Sequence, residues 1–177
     1  IVGAYSVVMG KHYSNFDTSD FPFSYITEEK GKSELTPAMN IFTVGTRRDC
    51  EKWPSRDKRN DPGKLDLIHF DLFNPYIVGR IANAINILNE LADKTPKTQD
   101  WVSYKGINIH RLLLKPARKY YEMAYRVYIG QEIIKRLDTI SNTLSIGEIR
   151  KSLKTDLKAG TGKWVDICGL FSPADKI

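Results

Sequence analysis

The residues best equipped for chemistry lie between Thr46 and Asp66, TRRDCEKWPSRDKRNDPGKLD, where charge, an aromatic and backbone punctuation crowd together without helical or strand periodicity. Seven cations (Arg47, Arg48, Lys52, Arg56, Lys58, Arg59, Lys64) face five acids (Asp49, Glu51, Asp57, Asp61, Asp66). Guanidinium forks match phosphate oxygens bidentately, so Arg47, Arg48, Lys52, Arg56 and Arg59 are the candidate grip for a phosphorylated small molecule or sugar nucleotide. Trp53 is the candidate surface on which a base or sugar ring stacks. The same residues read equally as a loop knitted to the body, its arginines paired with Asp49, Glu51, Asp57 and Asp61 and Trp53 its buried anchor. The first reading requires open, unpaired guanidiniums; the second requires each to be bonded to a carboxylate.

His12 is a candidate general base, because an imidazole titrates near neutrality. The sequence identifies no partner carboxylate for it. Asp49, inside the charged stretch, is the second candidate catalytic residue. His69 and His110 sit in apolar surroundings without metal-ligand spacing and read as packing or hydrogen-bonding residues. Cys50 and Cys168 are too isolated for a disulfide framework or a CxxC metal site, and a reducing cytoplasm fits them best. No glycine cradle for a nucleotide is present: the GTGK of Gly160 to Lys163 lacks the upstream glycine and the following Ser or Thr of a phosphate-binding loop. GxSxG and HExxH are also missing, so no metal and no cofactor is assigned.

The elements that must position these residues fall into three stretches. Residues 1–13, IVGAYSVVMGKHY, read as strand and turn. Within them Val2-Gly3-Ala4-Tyr5-Ser6-Val7 fits a hexapeptide coil pattern, with the aliphatic Val2 pointing inward and small residues at the corners. Val78 to Asn83 and Leu137 to Asn142 meet the same pattern while reading as helical. Residues 14–73 form an irregular β region carrying the charged loop. There Phe21 to Ile26 and Glu34 to Val44 flank a polar, Gly-containing turn and read as a hairpin, with Pro22 and Pro37 keeping the strands at sheet edges.

Residues 74–177 read as about three helices. Asn74-Pro75 is a cap followed by a first-turn proline, leading Ile77, Ile81, Ile85, Leu88 and Leu91 at helical spacing to about Asp93. A second helix covers roughly Ile109 to Asp138, with Pro116 kinking it or marking its start. Ser145-Ile146-Gly147-Glu148 is a capping box that opens a third, with Ile149, Leu153 and Leu157 inward and Gly160 ending it. Tyr120, Tyr121, Tyr125 and Tyr128 wrap more than one side of the second helix, which places it between neighbours or between subunits.

The 177 residues carry a net charge of +6 with pI near 9.2, which favours an acidic partner. Acids are spread among the cations, so nucleic-acid binding rests on net charge alone. No apolar run is long enough for a membrane span. A chain that opens on Ile1, directly in an apolar run, reads as a piece of something longer.

The runs FDTSDFPFSYI and VGTRRDCEKWPSRDKR, the segment Leu65 to Tyr76 and the closing WVDICGLFSP resemble the C-terminal part of an uncharacterised Bacteroidetes family of hexapeptide-repeat proteins. In these a left-handed β-helix, related to those of sugar-nucleotide and acyl transferases, precedes a mixed and then helical region. The resemblance implies that residues 1–13 are the last coil of such a β-helix, that His12 lies where acyl transferases keep a base, and that the protein is a homo-oligomer. The expected fold is α+β: the end of a left-handed β-helix and an irregular β region followed by packed helices. Two functions follow as expectations: a C-terminal extension of a transferase-like protein that binds a phosphorylated ligand through the Arg-rich loop, or a non-catalytic β-helix cap and oligomerisation module.

Overall fold

The computed structural model describes residues 1–58, 71–137, 145–154, 163–167 and 170–174. Its first strand, β1 (Val7–Val8), pairs in parallel with β2 (Tyr25–Glu29), Val7 opposite Tyr25 and Val8 opposite Ile26. The match continues upstream of both strands. The Ser24 amide donates to Ser6 Oγ across an offset of 18 residues, and the Tyr5 and Phe23 rings stack 5.0 Å apart and 4° from parallel. Tyr5 and Phe23 also share the left-handed backbone conformation, φ 57° and 56°. That conformation costs a non-glycine residue roughly 1–2 kcal/mol, so its recurrence at equivalent places is imposed by the stacking of one turn on the other. Buried Asn40 staples the two corners, its amide N–H donating to the Phe23 carbonyl and its Nδ2 to the Tyr5 carbonyl.

Gly3 is buried under this stack, and a Cβ there would lie 2.4 Å from the Phe21 carbonyl oxygen and 2.7 Å from that of Thr18. This corrects the expected phase of the hexapeptide. Val2, expected to point inward, is 44% exposed, because the inward place is taken by a residue without a side chain so that backbone can approach backbone.

β2 returns antiparallel as β3 (Lys32–Thr36) through Lys30 and Gly31, both at positive φ, the twist a two-residue hairpin turn prefers. The hairpin is as expected, but its second strand ends at Thr36 and not Val44. Pro37 supplies no amide to the ladder and Ala38 turns left-handed at φ 65°. Both prolines, Pro22 and Pro37, thus lie just outside the strands.

The charged stretch is not a loop over its first part: α1 (Val44–Arg56) is helical. Asn74 Oδ1 accepts from the Ile77 amide at 3.0 Å and Pro75 takes the first turn of α2 (Pro75–Lys94), as its sequence required. A second hairpin follows that the sequence reading did not separate from the next helix: β4 (Trp101–Tyr104) and β5 (Ile107–His110), joined by Lys105 and Gly106 at positive φ. β5 lies parallel to β3, giving one sheet in the order β1-β2-β3-β5-β4.

α3 (Arg111–Ile134) begins where His110 Nδ1 accepts the Leu112 amide, and Pro116 sits inside it rather than at its start. α4 (Ile146–Leu153) has the predicted capping box, with Ile149 and Leu153 half-buried; Leu157 and Gly160 lie outside the described residues. β6 (Trp164–Ile167) and β7 (Leu170–Pro173) form a separate hairpin, whose Trp164 ring meets Tyr76 edge to face. Four helices are therefore described where about three were expected, and one core joins sheet and helices through Phe21, Phe23, Ile26, Leu35, Ile81, Leu88, Ile109 and Tyr121.

Candidate functional site

α1 holds most of the candidate binding residues. Arg47 Nε bonds Glu51 Oε1 at 2.9 Å one turn on, and Arg48 Nε approaches the adjacent Asp49 at 3.8 Å; all four side chains are exposed. Such exposed pairs contribute at most about 1 kcal/mol each, and of the two only Arg47–Glu51, one turn apart, supports the helix. Arg48, Lys52 and Arg56 follow one another at four-residue spacing and share one exposed stripe. Among the described residues Arg47 and Arg48 each meet one carboxylate of their own helix, which neither leaves them unpaired nor ties α1 to the body of the domain. The Trp53 side chain, Arg59, His69 and Cys168 lie outside the described residues.

α1 meets the stacked corners at Cys50, whose thiol is hydrogen-bonded with the Tyr5 hydroxyl. Burial pushes the thiol's pKa up, Asp49 and Glu51 add to this, and the Tyr5 bond offsets it only in part. A thiol held protonated is a poor nucleophile and metal ligand.

His12 sits on the turn after β1, its Nδ1 2.8 Å from the hydroxyl of Ser33 on β3, its ring edge against Phe16. Nε2 is shut away from solvent without a hydrogen-bond partner, so the imidazole cannot present that nitrogen to a substrate. Asp49 is an exposed residue of α1 and shares no hydrogen bond or ion pair with His12 among the described residues. The two candidate catalytic residues are not brought together. No group of His, Cys, Asp and Glu able to hold a metal is found among the described residues.

The strongest polar constellation centres on Asp20, which is 6% exposed. Its Oδ1 accepts from Asn83 Nδ2 at 3.0 Å and lies 3.6 Å from Arg80, both on α2. Its Oδ2 accepts from the Tyr104 hydroxyl at 2.7 Å and from Lys105 Nζ at 2.6 Å, both at the β4–β5 turn. Burial alone would raise the Asp20 pKa; the bonds from Lys105 and Tyr104, with the charges of Lys105 and Arg80, outweigh it and hold the carboxyl below its ordinary range. The Tyr104 hydroxyl is pushed up to about 12 by burial and by the same bond. With donors on both oxygens, the ionised carboxylate is held by groups of its own fold. It acts as a bolt joining the segment before β2, α2 and the second hairpin. Beside it Gly106 brings the turn against the chain, where a Cβ would stand 2.3 Å from the Asn15 carbonyl oxygen. Nothing in the local spacing of Asp20, Arg80, Asn83, Tyr104 and Lys105 announces the cluster; the Asp17-Thr18-Ser19-Asp20 run was its one visible trace.

The fold and its bolted core define an α+β domain with an open parallel strand edge at one side of its sheet. The chain belongs to the family described as a domain of unknown function (DUF4954), whose model matches residues 1–92. No curated protein and no solved structure matches it. No described helix is long and apolar enough to cross a membrane.

Proposed function

We propose that this domain closes one end of a stack of 18-residue coils of the left-handed hexapeptide type. The observation that carries the reading is the parallel offset of 18 residues between the β1 turn and the β2 turn, the length of three hexapeptides. Among the described residues β1 has a strand neighbour on one side only. The Ser6 amide is held by the Gly3 carbonyl at 3.2 Å, while the backbone groups of Val8, alternating away from β2, face the open side and suit the ladder of a preceding coil. Beyond β2 the next strand, β3, is antiparallel and ends the parallel stacking. The domain's work in this reading is to terminate and cover the stack, in a reducing cytoplasm, while any transferase-like chemistry belongs to the coils.

Fusing hexapeptide coils in register before Ile1 tests this. The in-register fusion unfolds in one cooperative transition at a higher Tm than the domain alone, and a fusion shifted by three residues unfolds in two. Identical behaviour of the two fusions would remove the proposal.

The shared stripe of Arg48, Lys52 and Arg56 supports a second reading, in which α1 binds a phosphorylated ligand or sugar nucleotide. A stabilising thermal shift with inorganic pyrophosphate, lost in Lys52→Glu/Arg56→Glu, would carry it; no shift in the parent protein sinks it.

A further inference from the structure

α3 carries two adjoining apolar stripes beside a further exposed row of Tyr125, Ile129 and Ile133. One, with Leu114, Ala117, Tyr121 and Ala124, is buried in the core. The other runs through Tyr120, Met123, Val127 and Ile134, all between 40% and 65% exposed, and Phe42 extends it by packing its exposed ring edge to face on Tyr120. With half-buried Gly130 these positions alternate at spacings of three and four: 120, 123, 127, 130, 134. That is the 3.5-residue seam of a coiled coil, with Tyr120, Val127 and Ile134 at one core position and Met123 and Gly130 at the other. It covers roughly 20 Å of helix, and exposed apolar stretches of this kind mark interaction sites.

Gly130 is the second observation. A glycine inside a helix costs about 1 kcal/mol relative to alanine, and this one is not required from within, since a Cβ there would meet nothing within 4 Å. Its lack of a side chain makes sense where another backbone comes close.

We infer that a second copy of this chain pairs in parallel along this seam. β-Branched Val127 and Ile134 at their shared position favour two parallel strands. Parallel alignment sets Arg126 opposite the exposed, uncharged Gln131, so no like charges meet there. An antiparallel pair centred on the seam would bring Arg126 of both copies together. The seam lies on α3 and does not depend on what stacks on β1.

Sedimentation analysis of the full chain tests the inference. The parent protein is a concentration-dependent dimer, Val127→Glu/Ile134→Glu is monomeric with unchanged helical circular dichroism, and Ile129→Glu, exposed on the same helix outside the seam, remains dimeric. In a Cys50→Ser/Cys168→Ser background, Tyr120→Cys and Ile134→Cys, each alone, give covalent dimers on oxidation, which an antiparallel pair cannot do at both positions. A monomeric parent protein, equal dissociation by Ile129→Glu, or cross-linking at only one position would overturn it. If the glutamate variant fails to fold, the two cysteine variants decide.

Discussion

Asp20→Ala lowers the stability of the fold by about 3 kcal/mol, read by chemical denaturation. Removing one member of a buried charged network costs roughly 3–5 kcal/mol, because the remaining groups keep their desolvation without their partner. The low end applies, since Lys105 and Arg80 are partly exposed and regain water. The Tyr104 hydroxyl and Asn83 amide do not recover as easily, and each lost buried bond costs about 1–3 kcal/mol. The same site sets an acid limit. Because the Asp20 pKa is lower in the folded than in the unfolded chain, its contribution is complete above the unfolded value of about 4 and is lost as pH falls through the lower, folded value. The parent protein therefore loses stability on acidification below about pH 4. Asp20→Asn shows a shallower loss, retaining the part from Asp17, whose pKa is also lowered: burial opposes this, and bonds from Ser19 and the charge of Lys105 prevail. Equal acid sensitivity of Asp20→Asn and parent would contradict this account.

Tyr121→Ala has an effect of comparable size, about 3–5 kcal/mol, as expected for emptying a large, fully buried aromatic site. Tyr121 is 0% exposed on α3, and its hydroxyl donates to the Pro22 carbonyl at 2.6 Å, beside the stacked corner at Phe23. The side chain therefore both fills the core and ties α3 to the segment before β2. Tyr121→Phe separates the two roles: it keeps the ring, leaves the Pro22 carbonyl unsatisfied, and costs about 1–3 kcal/mol. If Tyr121→Phe proves as damaging as Tyr121→Ala, packing is not the main contribution.

Where structure depends on neighbouring residues, the sequence was readable. Asn74-Pro75 and Ser145 to Glu148 announce helix starts because the capping groups lie within one turn of the amides they satisfy. The Lys30-Gly31 turn was legible between two apolar runs, whereas Lys105-Gly106 was not, because its strands are four residues long and run straight into α3. α1 was missed for a different reason. A helix lying largely in solvent has no apolar stripe to reveal it, and the Arg47–Glu51 pair at one turn's spacing was its only helical signature. The close backbone approach at Gly3 was not legible in the Val2 to Val7 run, because it depends on the Phe21 and Thr18 carbonyls far along the chain. His12 lies on the turn after β1, and its unpartnered nitrogen is enclosed, a property of packing that residue type cannot show. The Asp20 cluster draws on three separate segments, and no local spacing announces it.

The central claim, that β1 is the receiving edge for another coil, is tested most directly by amide hydrogen exchange at Val8. In the domain alone this amide faces the open edge and exchanges fast; in the in-register coil fusion it becomes protected to the level of the amides bonded between β1 and β2, such as Met9 donating to the Ile26 carbonyl. Unchanged, fast exchange at Val8 in that fusion would contradict the account.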